Sequence, residues 1–200
     1  GFIIRCYILR TRDIHYDEVI YYFISHTSSF LHIVTIEHAI KDHGILYFLV
    51  IKISQIFTLD IHVIRSLNLL LYTVSYWALV LFFIRRGAIV GSIISGLLFS
   101  FMSYFVYLYT FLTPYNFVLT LFLCSLFSLE RFQGEKDYKK RRFFQAVFVI
   151  VTSGAWYANY SFVYAVYFYF FYYLFTYIFN RKEIKTLSVL YVITFISLIP

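Results

Sequence analysis

All six histidines (His15, His26, His32, His38, His43 and His62) precede residue 63, as do six of the ten acids (Asp13, Asp17, Glu18, Glu37, Asp42 and Asp60). Carboxylates and imidazoles are side chains that move protons and hold metals. The long apolar runs that follow carry no charge. Polar chemistry therefore has to draw on this first third of the chain. Within it, Asp17-Glu18 of "RDIHYDEVIYYFISH" directly precedes the apolar "VIYYFI", which would hold both carboxylates at a membrane surface. Glu37, His38, Asp42 and His43 have helical i, i+4 and i, i+5 spacings that can converge on a cation. No HxxxH and no cysteine partner accompanies them, so no metal site is predicted and a divalent cation stays an option. Cys6 and Cys124 read as small apolar filler.

The elements that must position these groups belong to a membrane protein. Of the 200 residues, 62% are hydrophobic, 24% aromatic and 14% charged, against roughly 25% charged and 45–50% apolar in a soluble domain. The net charge of +7 is uneven. Through residue 68, six bases balance six acids; beyond it stand eleven bases and four acids, in short clusters. That pattern fits a topology signal and argues against a nucleic-acid surface. The chain begins at Gly1 and reaches Pro200 through fifteen uncharged residues, which reads as a piece of a longer protein.

A bilayer core needs about 20 helical residues. Ser66–Ile84 is a nineteen-residue uncharged run closed by Arg85-Arg86. Gly87–Leu129 is long enough for two crossings, turning at "FLTPYNF", and Phe143–Asn180 for two more, turning at "WYANYSF". Spans are expected at 62–84, 88–111, 114–130, 143–159, 161–180 and 186–200. Assigning the basic clusters at 85–86, 131–142 and 181–185 to the cytoplasm gives a consistent up-and-down path. Residues 13–60 then form an outer loop of short juxtamembrane helices, near 17–25 and 28–40, with Ser28 or Ser29 as N-cap of the second. The segment 44–59 has only sixteen residues and contains Lys52 and Gln55, which predicts an interfacial rather than a spanning helix. If it crossed, Asp17 and Glu18 would join the cytoplasmic clusters. The expected fold is all-α, a polytopic transmembrane helix bundle. Its expected location is integral and multi-pass, in the cell (inner) membrane if bacterial or archaeal.

The order of "HYDEVIYYF", "DHGILYFLVIK", "VIRSLNLLLY", "FFIRRGAIVGSIISGLLFS" and "WYANYSFVYAVYFYFFYYLF" resembles that in the polytopic GT-C glycosyltransferases. That superfamily contains the protein O-mannosyltransferases and the lipid A aminoarabinose transferases. The resemblance runs over residues 12–175 and rests on order and spacing. It departs from the family where Gly44-Ile45 replaces a Pro-Pro pair, and where "YLYTFLTPY" lacks the Glu and Arg of a Tyr-Ser-x-Glu-x-Arg segment.

The resemblance implies transfer of a sugar from a polyprenyl-phosphate carrier to an acceptor on the outer face. Asp17 would be the general base on an acceptor hydroxyl, with Glu18 orienting that base or the acceptor. Arg65, then Lys52, would stabilise the departing lipid phosphate, and His43 would bind sugar or phosphate. Asp13, His15 and His26 are left as bystanders. The implied partners are the lipid-linked donor, membrane lipid and an unspecified lipid, protein or glycan acceptor, with no nucleic acid. The competing readings are a lipid-linked glycan carrier or flippase, and a non-catalytic membrane scaffold. Carriers usually place ionisable groups at mid-membrane, which these spans lack.

Overall fold

A computed structural model describes residues 1–36 and 45–159, together with Tyr169, Ser188, Val192 and Ile193; for 34–36 it describes the backbone alone. The expected spans at 161–180 and 186–200 otherwise lie outside the described residues, as does His43. Among the described residues the elements are all helices: α1 (Phe2–Thr11), α2 (Tyr16–Thr27), α3 (Phe30–Ile36), α4 (Ile45–Phe57), α5 (Ile61–Arg85), α6 (Ile89–Phe101), α7 (Ser103–Leu108), α8 (Pro114–Gly134) and α9 (Tyr138–Ala158). No strand occurs among them.

α5 and α8 are long and apolar enough to cross a membrane. They run parallel. Asn116 of α8 donates to Asn68 of α5 at 2.6 Å, Ser75 donates to Thr120 at 2.8 Å, and Arg86 binds Glu130 at the far end through Nε at 2.9 Å and Nη2 at 2.7 Å. α6 returns antiparallel along α5, with Ser100 against Tyr72 and Gly96 against Tyr76 and Val80. α9 packs antiparallel on α8, with Arg141 over the Phe132 ring and Gly154 beside Leu121. The basic residues 85–86 and 131–142 therefore share one end of the bundle. The N-termini of α5 and α8 share the other.

α5 buries a polar stripe and exposes an apolar one. Its buried face carries Arg65, Asn68, Tyr72 and Ser75, spaced three, four and three residues apart, among Ile64, Leu71, Ala78 and Val80. Leu70, Val74, Trp77, Leu81 and Ile84 lie exposed on the opposite face. In water the polar stripe would face outward.

Local chemistry sets the ends. Asp60 accepts from the His62 amide at 2.8 Å and starts α5. Gly87, at φ 70°, takes the left-handed position that lets the Gly87 and Ala88 amides return to Ile84 and Phe83, closing it. Ser29 accepts from the His32 amide at 3.1 Å at the start of α3. Pro114 occupies the first turn of α8, where its missing N–H costs nothing. Asp137 accepts from the Lys139 and Lys140 amides, so α9 starts at Tyr138 rather than at the expected 143.

The expected continuous helix over 88–111 is broken. α6 ends at Met102, which is extended at ψ 125°, and after α7 the residues 109–112 form a buried strap. The break leaves orphan carbonyls at the end of α6. The fully buried Arg5 guanidinium donates to those of Phe99 and Ser100, at 3.0 Å each, while lying 3.7 Å over the Tyr72 ring. A cation on helix-terminal carbonyls is favourable on both hydrogen-bonding and dipole grounds. α4, at thirteen residues, is about 20 Å long, shorter than a bilayer core of about 30 Å.

Candidate functional site

The site is built on the first turn of α2. His15 is the N-cap: its Nδ1 accepts from the Asp17 amide at 3.4 Å, and its own amide donates to Glu18 Oε2 at 2.8 Å. This reciprocal pairing is a capping box with histidine in the usual Ser or Thr position. His15, expected to be a bystander, starts the helix that carries both acids. Asp17 and Glu18 also sit where the α2 dipole favours negative charge.

The two adjacent carboxylates have opposite surroundings. Glu18 is fully buried. Its Oε1 accepts from Arg65 Nε at 2.9 Å and from the Leu112 amide at 2.7 Å, and its Oε2 accepts from Arg65 Nη2 and the His15 amide. Arg65, equally buried, also donates to the carbonyls of Arg12 at 3.1 Å and Asp13 at 3.0 Å. Four donors meet the two carboxylate oxygens, and four of the five guanidinium N–H groups are engaged. Asp17, one residue earlier, has a side chain 57% exposed, with His15 Nδ1 3.6 Å away.

Beneath the acids, Tyr21 of α2, Tyr47, Phe48 and Ile51 of α4, Ile64 of α5 and Leu112 of the strap form one core cluster. Burial pushes the phenols of Tyr21 and Tyr47 upward, that of Tyr47 well above its ordinary range. Both stay protonated at neutral pH and are unsuited to act as bases. The strap itself is held through its backbone. Leu112 donates to Glu18, and the Phe111 carbonyl accepts from Asn68 at 2.5 Å and Asn116 at 3.1 Å. A buried irregular segment needs such partners for its peptide groups.

Of the residues expected to act together, Glu18 and Arg65 meet directly and Asp17 stands beside them. Arg65 is not open to a phosphate: it has no exposed surface, and a new anion would have to displace Glu18 and two carbonyls. Lys52 lies elsewhere. Its Nζ donates to the His26 carbonyl at 3.0 Å, and His26 is nine residues beyond Asp17, about 14 Å along α2. Glu37, His38, Asp42 and His43, whose spacing left a divalent cation an option, fall outside the described residues, within which no three of His, Cys, Asp and Glu come together.

Comparison with protein-family models, with curated proteins and with solved structures gives no match.

The geometry adds Arg12, which the sequence reading passed over. Its guanidinium lies 3.7 Å over the Phe111 ring and 4.8 Å over that of Tyr107. His15 packs edge-on against the same Phe111, with centroids 5.4 Å apart. The exposed face at the start of α2 thus combines a carboxylate, an imidazole and a stacked cation. The only sequence signal for this was proximity within "RDIHYD".

Proposed function

We propose that the chain is part of an integral membrane glycosyltransferase of GT-C type. It moves a sugar from a polyprenyl-phosphate carrier to an acceptor on the non-cytoplasmic face, with Asp17 as general base. The observation that carries this reading is the division of labour between adjacent carboxylates. Glu18 is locked in an ion pair that fixes the first turn of α2, and Asp17 is held on that fixed turn with its carboxylate exposed beside His15 Nδ1. A base has to be both positioned and reachable by the acceptor proton, and Asp17 is both. Glu18 positions the turn rather than the acceptor, and Arg65 positions Glu18.

The inverted polarity of α5 supports the membrane part. Lipid tolerates the exposed Leu, Val, Trp and Ile row, and buried polar side chains then pair within the bundle. Placing the basic end in the cytoplasm puts Asp17 on the outer side, because the Glu18–Arg65 pair holds the start of α2 at the opposite end, the N-terminus of α5. The test is transfer from a panel of polyprenyl-phosphate sugars, measured in proteoliposomes with the full-length protein. Transfer from at least one donor is expected, and none from any donor overturns the reading.

A non-catalytic membrane scaffold is the second reading, and the ion pair itself favours it. With Arg65 enclosed and Lys52 at the far end of α2, neither expected cation faces Asp17 to stabilise a leaving phosphate. The same donor panel separates the two readings.

A further inference from the structure

We propose that the groove between α1 and α5 binds an anionic phosphate lipid, its headgroup at Arg10 and His62 and its chains along Ile3, Cys6 and Leu69. This rests on the membrane reading of the chain and not on sugar transfer. α1 runs antiparallel to the first turns of α5: Arg5 lies over Tyr72, and the Arg12 carbonyl, seven residues on, meets Arg65, seven residues back. The groove between them is half open and has a volume of about 620 Å³, within the roughly 300–1,000 Å³ of ligand sites.

Both walls change character in the same direction. On α1 the lining goes from Ile3 through Cys6 and Tyr7 to Arg10; on α5 it goes from Leu69 through Ser66 to His62. Seven residues separate the ends of each wall, about 10 Å of helix. One end of the groove is therefore apolar on both sides, and the other adds the Arg10 guanidinium on α1 and the His62 imidazole on α5 to the apolar Leu9 and Val63 beside them. The polar mouth is at the end of α5 where Asp17 and Glu18 also lie.

The charge at the mouth is available. Arg10 is exposed and makes no ion pair or hydrogen bond through its side chain among the described residues. The neighbouring carboxylate of Asp60 is turned onto the His62 amide as the α5 N-cap, and the Ser66 hydroxyl donates to the Val63 carbonyl at 2.5 Å. A guanidinium with a free fork is a strong partner for a phosphate. An apolar slot leading away from it selects an amphiphile over free phosphate. Ile3, 82% exposed, and Tyr7, 69% exposed, would be covered by its chains.

Cys6 lines the groove and is partly exposed, so its alkylation reports occupancy. With Cys124→Ser leaving Cys6 as the only thiol of this chain, the protein is reconstituted in phosphatidylcholine vesicles, and labelling by an aqueous maleimide is timed. Other cysteines of the full-length protein are replaced likewise. Adding phosphatidic acid at ten times its half-saturating fraction is expected to slow labelling about tenfold. Inorganic phosphate in phosphatidylcholine vesicles is expected to leave the rate unchanged. Arg10→Gln with His62→Gln is expected to remove the protection, while Lys139→Gln, at the opposite end of the bundle, keeps it. No slowing by phosphatidic acid, equal slowing by inorganic phosphate, or equal loss in Lys139→Gln would each overturn the proposal. Co-flotation with the vesicles reads the membrane assignment separately. A chain that does not float sinks both, whereas one that floats without protection sinks the groove alone.

Discussion

Glu18 and Arg65, 47 residues apart and both without exposed surface, form an ion pair that also gathers the His15 and Leu112 amides and the Arg12 and Asp13 carbonyls. Three separate stretches of chain are thereby fixed around two side chains: the turn before α2, the start of α5 and the strap before α8. Removing one member leaves a buried charge unpaired, which costs about 3–5 kcal/mol. Glu18→Gln and Arg65→Met should each lower unfolding stability by that order. The double variant should lose less than the sum of the two, and a double-mutant cycle by denaturant titration in detergent checks this. Simple additivity would show that the two groups are not coupled.

The polar stripe of α5 gives a second prediction. Asn68 donates to the Phe111 carbonyl and accepts from Asn116, so Asn68→Leu removes two buried hydrogen bonds and leaves the Asn116 amide with the Phe111 carbonyl alone. A loss of about 1–3 kcal/mol is expected. Val74→Ala, on the exposed face of the same helix, should cost less than half of that in lipid-like detergent. Comparing the two midpoints tests which face is the interior.

Arg5 holds the end of α6. Arg5→Met keeps much of the volume but removes the donors to Phe99 and Ser100 and the cation over Tyr72. Hydrogen bonds from a charged donor contribute about 1.5–3 kcal/mol each. The variant should therefore show faster proteolysis at the Met102–Ser103 bend at equal protease concentration. An unchanged cleavage rate would mean that Arg5 does not secure that junction.

The shared end of the basic residues predicts sidedness. Single cysteines at Asp13 and Tyr115 should be labelled from one side of a vesicle, and one at Lys139 from the other. Labelling of all three from one side would contradict a bundle in which α5 and α8 cross the bilayer.

Much of the helix content was legible because apolar runs and caps are local. "SLNLLLYTVSYWALVLFFIRRG" carries its length, its basic stop and its closing glycine in order, and the helix expected at 62–84 is found at 61–85. "TPYN" announced the start of α8 through Pro114. What the runs did not carry is which face turns inward. Arg65, Asn68 and Ser75 read as stray polar residues until α8 supplies Asn116 and Thr120. The break at Met102 lies inside a uniformly apolar run, and its stabilising partner, Arg5, is 95 residues from Ser100. α9 begins five residues early because Asp137 caps it, a signal present in "KDYKK" but absorbed into the basic loop. At the site, adjacency alone marked Asp17-Glu18 as a pair. The separation of one into a buried anchor and the other into an exposed acid depends on Arg65, whose own expected role as a phosphate ligand gives way to that anchor.

The base assignment is tested most directly by Asp17→Asn in a single-turnover transfer assay, using the full-length protein in proteoliposomes with an active lipid-linked donor. Asp17 is exposed, so the variant should retain its stability to within about 1 kcal/mol, the scale of one charge at a helix N-terminus. Transfer should fall by about 10²–10⁴-fold, the usual contribution of a positioned general base. Transfer at the rate of the unsubstituted protein would contradict the account.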